Sequence, residues 1–266
     1  MSPVPCLHGA FSDARRCVLP FARLPAPQLR LFCFPYAGGD ANLFRDWAAA
    51  MPDDVEVLGV QYPGRGPCET HALIDRCDPM VERLHAELAD WMNVDFAFFG
   101  HSNGALVSFE LARRLDASAR ARHRHHFLSA RVAAHLPTGR GHISGLPKAE
   151  FLAAIGRLGG IPNEVMQDSG LMNLVEPRLR ADFALGEHYV YQAGSGLVCD
   201  CTTLHGTRDH LVIEEYARRW SELTTGRVRH HVVDGDHFFL NTHRPKVLTI
   251  VHAVLEHIIN SRKVIL

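Results

Sequence analysis

The sequence carries almost no net charge. Its 266 residues set 28 lysines and arginines against 29 aspartates and glutamates, a net −1 with histidine neutral. That balance gives no reason to expect bulk attraction to nucleic acid, which is bound by strongly basic surfaces. Seven cysteines include no Cys-x-x-Cys pair, and Cys199-Asp200-Cys201 is too close for zinc-finger spacing. Their odd number reads as reduced thiols in a cytoplasmic protein. Near the N-terminus stand Pro3, Pro5, Pro20, Pro25 and Pro27 and no sustained apolar core, so this stretch reads as neither signal peptide nor membrane span. Residues 1–28 are expected to be a poorly ordered lead-in. Repeats and low-complexity tracts are missing as well. What remains is ordinary: 47% hydrophobic and 21% charged residues suit a globular chain. The length suits one large α/β domain with a small insertion, here residues 29–266.

The rest of the chain alternates strand and helix, the pattern of a mostly parallel sheet with helices on both faces. Apolar runs at 29–34, 55–62, 94–99, 127–134, 197–205 and 228–233 read as strands. Helical spacing marks 79–92, 104–115, 213–223 and 245–259. Between 136 and 191 the alternation stops, and short helices are expected at 148–158, 163–167 and 171–187. An insertion of that size reads as a helical lid over a site, with a plain crossover connection as the alternative. The 18 histidines include the run Arg120-Ala121-Arg122-His123-Arg124-His125-His126. It reads as a solvated loop, with a basic docking patch or a metal-binding tract as alternatives.

One motif carries chemistry. Gly100-His101-Ser102-Asn103-Gly104 follows an expected strand and opens an expected helix. A sharp strand-to-helix turn lifts a serine hydroxyl clear of the sheet, and flanking glycines permit it. The bland alternative is a turn with a serine N-cap. A serine nucleophile needs a base, and the base needs an acid to orient it. Asp209 follows the run 197–205 and His237 follows 228–233, so both fall on the same sheet edge as Ser102. Asp182, Asp234 and Asp236 are rival acids; His205, His210 and His243 are rival bases. Asp236 adjoins His237 and cannot easily reach across its ring, and Asp182 sits in the insertion, away from a strand end. On this reading Asp209→Asn cripples turnover and Asp182→Asn does not. His101 is expected to pack beside the turn. The oxyanion donors are assigned to the backbone N–H groups of Asn103 and of Ala37, in Pro35-Tyr36-Ala37-Gly38-Gly39-Asp40. Those glycines could read as a phosphate loop, but no Gly-Lys-Ser/Thr follows.

Several segments, in order, resemble the type II thioesterases that accompany polyketide synthases and nonribosomal peptide synthetases. They are Phe34-Pro35-Tyr36-Ala37-Gly38-Gly39, Gln61-Tyr62-Pro63-Gly64-Arg65, Gly100 to Ala105, Phe109-Glu110-Leu111-Ala112, Leu158-Gly159-Gly160-Ile161-Pro162, Leu179-Arg180-Ala181-Asp182-Phe183, Glu187-His188-Tyr189 and Gly235-Asp236-His237-Phe238-Phe239. The resemblance spans about residues 31–240. It implies an α/β-hydrolase fold with a helical lid. It also implies stand-alone enzymes that hydrolyse stalled or wrong acyl groups from the phosphopantetheine arms of carrier proteins. No metal or bound cofactor is implied, and neither nucleic acid nor membrane; a monomer is the default. Its triad maps onto Ser102, Asp209 and His237, and its oxyanion donors onto Ala37 and Asn103. The family commonly has methionine at the position of Asn103 and often histidine at that of Tyr36, so both bear on acyl preference. The alternatives are a serine carboxylesterase or lipase, a chain-releasing thioesterase of a fatty acid synthase, and a non-catalytic binding module on the same fold. An acidic carrier would suit exposed arginines, with Arg65 or the run 120–124 as candidates.

Overall fold

A computed structural model describes residues 17–139, 141–161 and 163–263. Seven strands form one sheet in the order β1-β3-β2-β4-β5-β6-β7. They are β1 (Val18–Pro20), β2 (Leu29–Phe34), β3 (Val55–Val60), β4 (Asp95–His101), β5 (His123–Ser129), β6 (Asp200–Gly206) and β7 (Val228–Val233). Every pairing is parallel except β1 with β3. Strand β1 corrects the expected lead-in: the chain is ordered from at least Cys17, because Val18 and its neighbours pair with β3 and Cys17 packs into the core. Residues 1–16 of that lead-in lie outside the described residues.

The sheet is covered on both faces, which is why its central strands read as continuous apolar runs. Side chains alternate: Phe32, Phe34, Phe96 and Phe98 face α1 (Cys77–Leu88) and α2 (Asn103–Arg113). Leu31, Cys33, Ala97 and Phe99 face the 3₁₀ helix Ala41–Ala50 and α9 (Arg244–Lys263). Phe32 meets Phe96 and Phe98 edge-on at 5.7 and 5.6 Å, a favoured aromatic geometry. The six described cysteines are buried and free of disulfides. Among the described residues no helix is long and apolar enough to cross a membrane.

Two expectations about the histidine run are overturned. Residues 117–122 form α3 (Ala117–Arg122), capped by Asp116, and His123 opens β5 four residues before the expected strand start. The histidines are therefore interior strand residues. His123 stacks on Phe96 at 5.2 Å, His125 bonds Thr202 at 2.9 Å, and His126 bonds Ser108 at 2.9 Å. The hydrophobic seats of these rings were masked by histidine's polarity. Burial pulls His123 down to about 3 and His125 to about 4, and pulls His126 well below the ordinary value. Among the described residues no group of three His, Cys, Asp or Glu could hold a metal.

Between β5 and β6 lie α4 (Lys148–Leu158), α5 (Asn163–Gln167) and α6 (Ser169–Glu187). They carry their own apolar cluster of Phe151, Ile155, Met172 and Leu179. Helix α6 runs unbroken through Pro177, and Asp168 caps it by accepting the Gly170 and Leu171 N–H groups. After β6 come α7 (Glu214–Arg218) and a 3₁₀ turn; after β7 comes the short α8 (Phe239–Thr242).

The buried histidines set a pH dependence. Each is neutral when folded and has a depressed folded pKa, so its stabilising contribution is complete above the unfolded value of 6.5. It is lost as pH falls toward the folded value. Each adds a slope of up to about 1.4 kcal/mol per pH unit in that window. Thermal unfolding followed from about pH 7 to about pH 4.5 is expected to show a steep fall in Tm, shallower in His123→Phe. A flat profile in the wild type contradicts the assignment.

Candidate active site

Ser102 links β4 to α2 at φ 54°, ψ −118°, a backbone region that residues with a Cβ rarely occupy. Two glycines make the turn possible. A Cβ on Gly100 would lie 2.5 Å from the Ala105 backbone, and one on Gly104 would overlap the Phe34 carbonyl. The Ser102 N–H donates to the Ser129 carbonyl at 2.8 Å, extending the sheet ladder into the turn.

Three parallel strands deliver the partners to the same edge. His237 Nε2 lies 2.9 Å from Ser102 Oγ, and His237 Nδ1 lies 2.9 Å from Asp209 Oδ2. The other Asp209 oxygen accepts the Leu211 and Val212 N–H groups at 2.9 and 3.2 Å. Burial pushes the Asp209 carboxyl up, but the His237 hydrogen bond and charge outweigh it and hold the group below the ordinary carboxylate range. A charged Asp209 therefore fixes His237 with Nδ1–H toward itself and a bare Nε2 toward the serine. All three side chains are buried; Ser102 and His237 line the foot of one cavity, and Asp209 stands behind His237.

His101 packs under this set. Its Nε2–H donates to the His237 carbonyl and its Nδ1 accepts from the Ser129 hydroxyl, both at 2.9 Å. Burial and the nearby His237 hold it neutral, pulled down to about 3. The rivals sit elsewhere. Asp234 pairs with Arg208 and takes the Thr207 hydroxyl; Asp236 caps the Phe238 N–H. His210 turns to the Arg208 carbonyl, and His243 stands 3.7 Å from Asp234. His205 is buried in β6, with Nδ1 unpartnered among the described residues.

The loop after β2 forms a tight turn. Gly39 N–H donates to the Tyr36 carbonyl at 2.9 Å, with Gly38 at φ 82°, the position a type II turn reserves for glycine. Gly38 N–H donates to Asp182 at 2.7 Å. Among the described residues the Ala37 N–H meets no acceptor, and Ala37, Ser102 and Asn103 all line the cavity. The Asn103 N–H stands at the first position of α2, where no intrahelical acceptor exists.

Asp182 and Arg65 differ most from expectation. Arg65 is buried, 4% exposed, and forms a two-pronged pair with Asp182 at 2.7 Å on each prong. It is therefore no exposed docking residue. Burial depresses its guanidinium, and the Asp182 charge more than offsets that. The run 120–124 is no better placed: it precedes and enters β5 at the sheet edge opposite Ser102, roughly 20 Å of strand away. Asn103, which the sequence places near the acyl pocket, lines the cavity with both ends of its amide engaged. Its nitrogen donates to the Asp182 carbonyl at 2.6 Å, and its oxygen accepts from Arg131 at 2.9 Å.

The cavity has a volume of about 560 Å³. Its upper wall comes from the inserted helices through Ile155, Leu158, Val175, Leu179 and Phe183. Such a chamber suits an apolar chain, and at its foot stand the Ser102 hydroxyl, the His237 imidazole and the backbone of Ala37 and Asn103.

Sheet order, the strained Ser102 turn and the partners on the carboxyl edge are those of the α/β-hydrolase fold. Within it, the chain belongs to the thioesterase family: the family model described as Thioesterase domain matches residues 29–255. It is 37% identical over 232 residues to Linear gramicidin dehydrogenase LgrE of Brevibacillus parabrevis, covering 86% of this chain and 88% of that protein. It is 37% identical over 215 residues to Gramicidin S biosynthesis protein GrsT of Aneurinibacillus migulanus, covering 81% and 84%. The solved structure of the type II thioesterase BorB from the borrelidin biosynthetic cluster superposes with a TM-score of 0.80 at 32% identity, covering 91% and 97%.

Separate roles for the acids can be measured. Asp209→Asn is expected to lower kcat by about 10⁴-fold by presenting the wrong His237 tautomer. Asp234→Asn and Asp236→Asn are expected to stay within a few-fold of wild type in the same steady-state assay.

Proposed function

We propose that this protein is an editing thioesterase that hydrolyses acyl groups from the phosphopantetheine arm of a carrier protein, with Ser102, His237 and Asp209 as its catalytic triad. The observation that carries the reading is the unbroken chain from Asp209 through His237 to a serine held on a strained turn below an apolar chamber. Family membership and the biosynthetic pathways named for the relatives support the substrate class.

The steps use groups of this chain, the thioester and water. His237 Nε2 takes the Ser102 proton as Oγ attacks the thioester carbonyl. The Ala37 and Asn103 N–H groups hold the tetrahedral oxyanion; one such donor is worth about 10²–10³ in rate. The intermediate collapses, the carbon–sulfur bond breaks, and the pantetheine sulfur leaves with the proton from His237. The acyl group is now an ester on Ser102. His237 then takes a proton from water, the hydroxide attacks the ester, and the acid departs as Ser102 recovers its proton. Asp209 stays ionised and stabilises the charged His237. Helices α4 to α6 act as the lid that walls the acyl chain from bulk water. The fold then acts as one domain, working as a monomer in the cytoplasm on a carrier partner.

The dehydrogenase in one relative's name does not redirect this reading. The chain contains no Gly-x-Gly-x-x-Gly, the spacing that fits a dinucleotide pyrophosphate to a helix N-terminus.

The test presents one short acyl group three ways: on a phosphopantetheinylated carrier protein, as a free thioester and as an oxygen ester. The carrier-bound thioester is expected to give the highest kcat/KM, falling by about 10⁶-fold in Ser102→Ala. Preference for the oxygen ester would make the protein a carboxylesterase on this fold, and full activity in Ser102→Ala would remove the serine mechanism.

A further inference from the structure

Asp182 lies on α6, in the inserted helices, yet its hydrogen bonds are made to the body of the fold. One carboxylate oxygen, Oδ2, accepts both the Gly38 N–H and Arg65, each at 2.7 Å; the other, Oδ1, accepts the second prong of Arg65 at 2.7 Å. Arg65 in turn donates to the Gly39 carbonyl at 2.9 Å. The Asp182 backbone carbonyl takes the Asn103 amide. One residue thus touches the turn after β2, the loop after β3 and the first residue of α2.

The neighbouring face of α6 makes the same contact by packing. Leu179, three residues before Asp182, presses on Gly38 so closely that a Cβ there would lie 2.6 Å from its side chain. At Gly186 an added Cβ would lie 2.6 Å from the Asn103 amide oxygen. These contacts converge on the two segments assigned the oxyanion donors. The peptide between Tyr36 and Ala37 is held on its carbonyl side by Gly39, and the next peptide is held on its N–H side by Asp182. A rigid peptide has no freedom left once neighbouring groups are held, so the Ala37 N–H is aimed by its neighbours.

We propose that Asp182 is a positioning residue for the oxyanion hole, through which the seated lid helix holds the Tyr36–Gly39 turn in its donor-presenting form. This rests on the thioesterase reading above and replaces the expectation that Asp182→Asn is silent. Movement of α6 away from the sheet would remove the acceptor of Gly38 and the counter-ion of Arg65 together. Oxyanion stabilisation is therefore assembled only when the lid is seated over the acyl chain.

A boronic acid carrying a short acyl-like chain reports on the hole, since it binds as a tetrahedral adduct of Ser102. An unreactive thioether analogue of the substrate reports on ground-state binding alone. Wild type, Asp182→Asn and the double variant Arg65→Met with Asp182→Leu are compared; the double variant removes both buried charges, so neither is left alone. Both variants are expected to lose about 10²-fold in kcat and a matching factor in boronate affinity, with thioether affinity held within about twofold. A lid staple with no effect on the hole predicts instead that the double variant recovers kcat and boronate binding, or that both ligands weaken equally. Either result overturns the proposal. Hydrogen exchange on the wild type needs no variant: the Gly38 amide is expected to be as protected as the middle of α6, and an unprotected Gly38 overturns it too. Absence of thioester turnover in the wild type would refute the functional reading itself, which separates the two failures.

Discussion

The structure turns on the backbone of Ser102. Its positive φ costs of order 1–3 kcal/mol and persists because the surroundings leave no relaxed alternative. Gly100 lies against Ala105, Gly104 against the Phe34 carbonyl, and the Ser102 N–H is tied to Ser129. That tight seating brings the start of α2 against the end of β2, which is also where the Tyr36–Gly39 turn begins. Ser102 and the proposed oxyanion donors, Ala37 and Asn103, are thus neighbours as a consequence of one packing contact between two glycine-bearing segments.

Two buried aspartates show how environment separates roles for the same side chain. Asp209 faces an imidazole and two backbone N–H groups, so its charge is available to orient and stabilise a base. Asp182 faces a guanidinium and the Gly38 N–H, so its charge holds α6 to the turn after β2 and to Arg65. His101 completes the support from beneath: a neutral imidazole donating to the backbone of His237 steadies that residue without competing for its proton.

Much of this was legible in the chain because strand ends, helix starts and glycines have local signatures. The runs ending at Phe34, Phe99 and Val233 placed their following loops on one edge. The run 228–233 thereby put His237 within reach of Ser102, and the run 197–205 put Asp209 within reach of His237. The three inserted helices were visible in their apolar spacing. What stayed hidden was the work of polar residues in the interior. His123, His125 and His126 looked solvated because polarity hides their stacking and hydrogen bonding inside β5. Arg65 looked like a surface cation because its counter-ion lies 117 positions away in sequence. Asp182 lost its importance to the rule that sites sit at strand ends, a rule that says nothing about residues reaching in from an insertion. Strand β1 escaped notice because three residues ending in Pro20 carry no periodicity.

The central claim is that Ser102 takes the acyl group from a thioester. It is tested most directly by trapping the intermediate: the protein is mixed briefly with a short acyl-pantetheine thioester, quenched in acid, digested and read by mass spectrometry. The account predicts the acyl mass on the peptide spanning residues 100–104, located to the Ser102 oxygen. Turnover with no such adduct, or an adduct on another residue such as a cysteine, would contradict it.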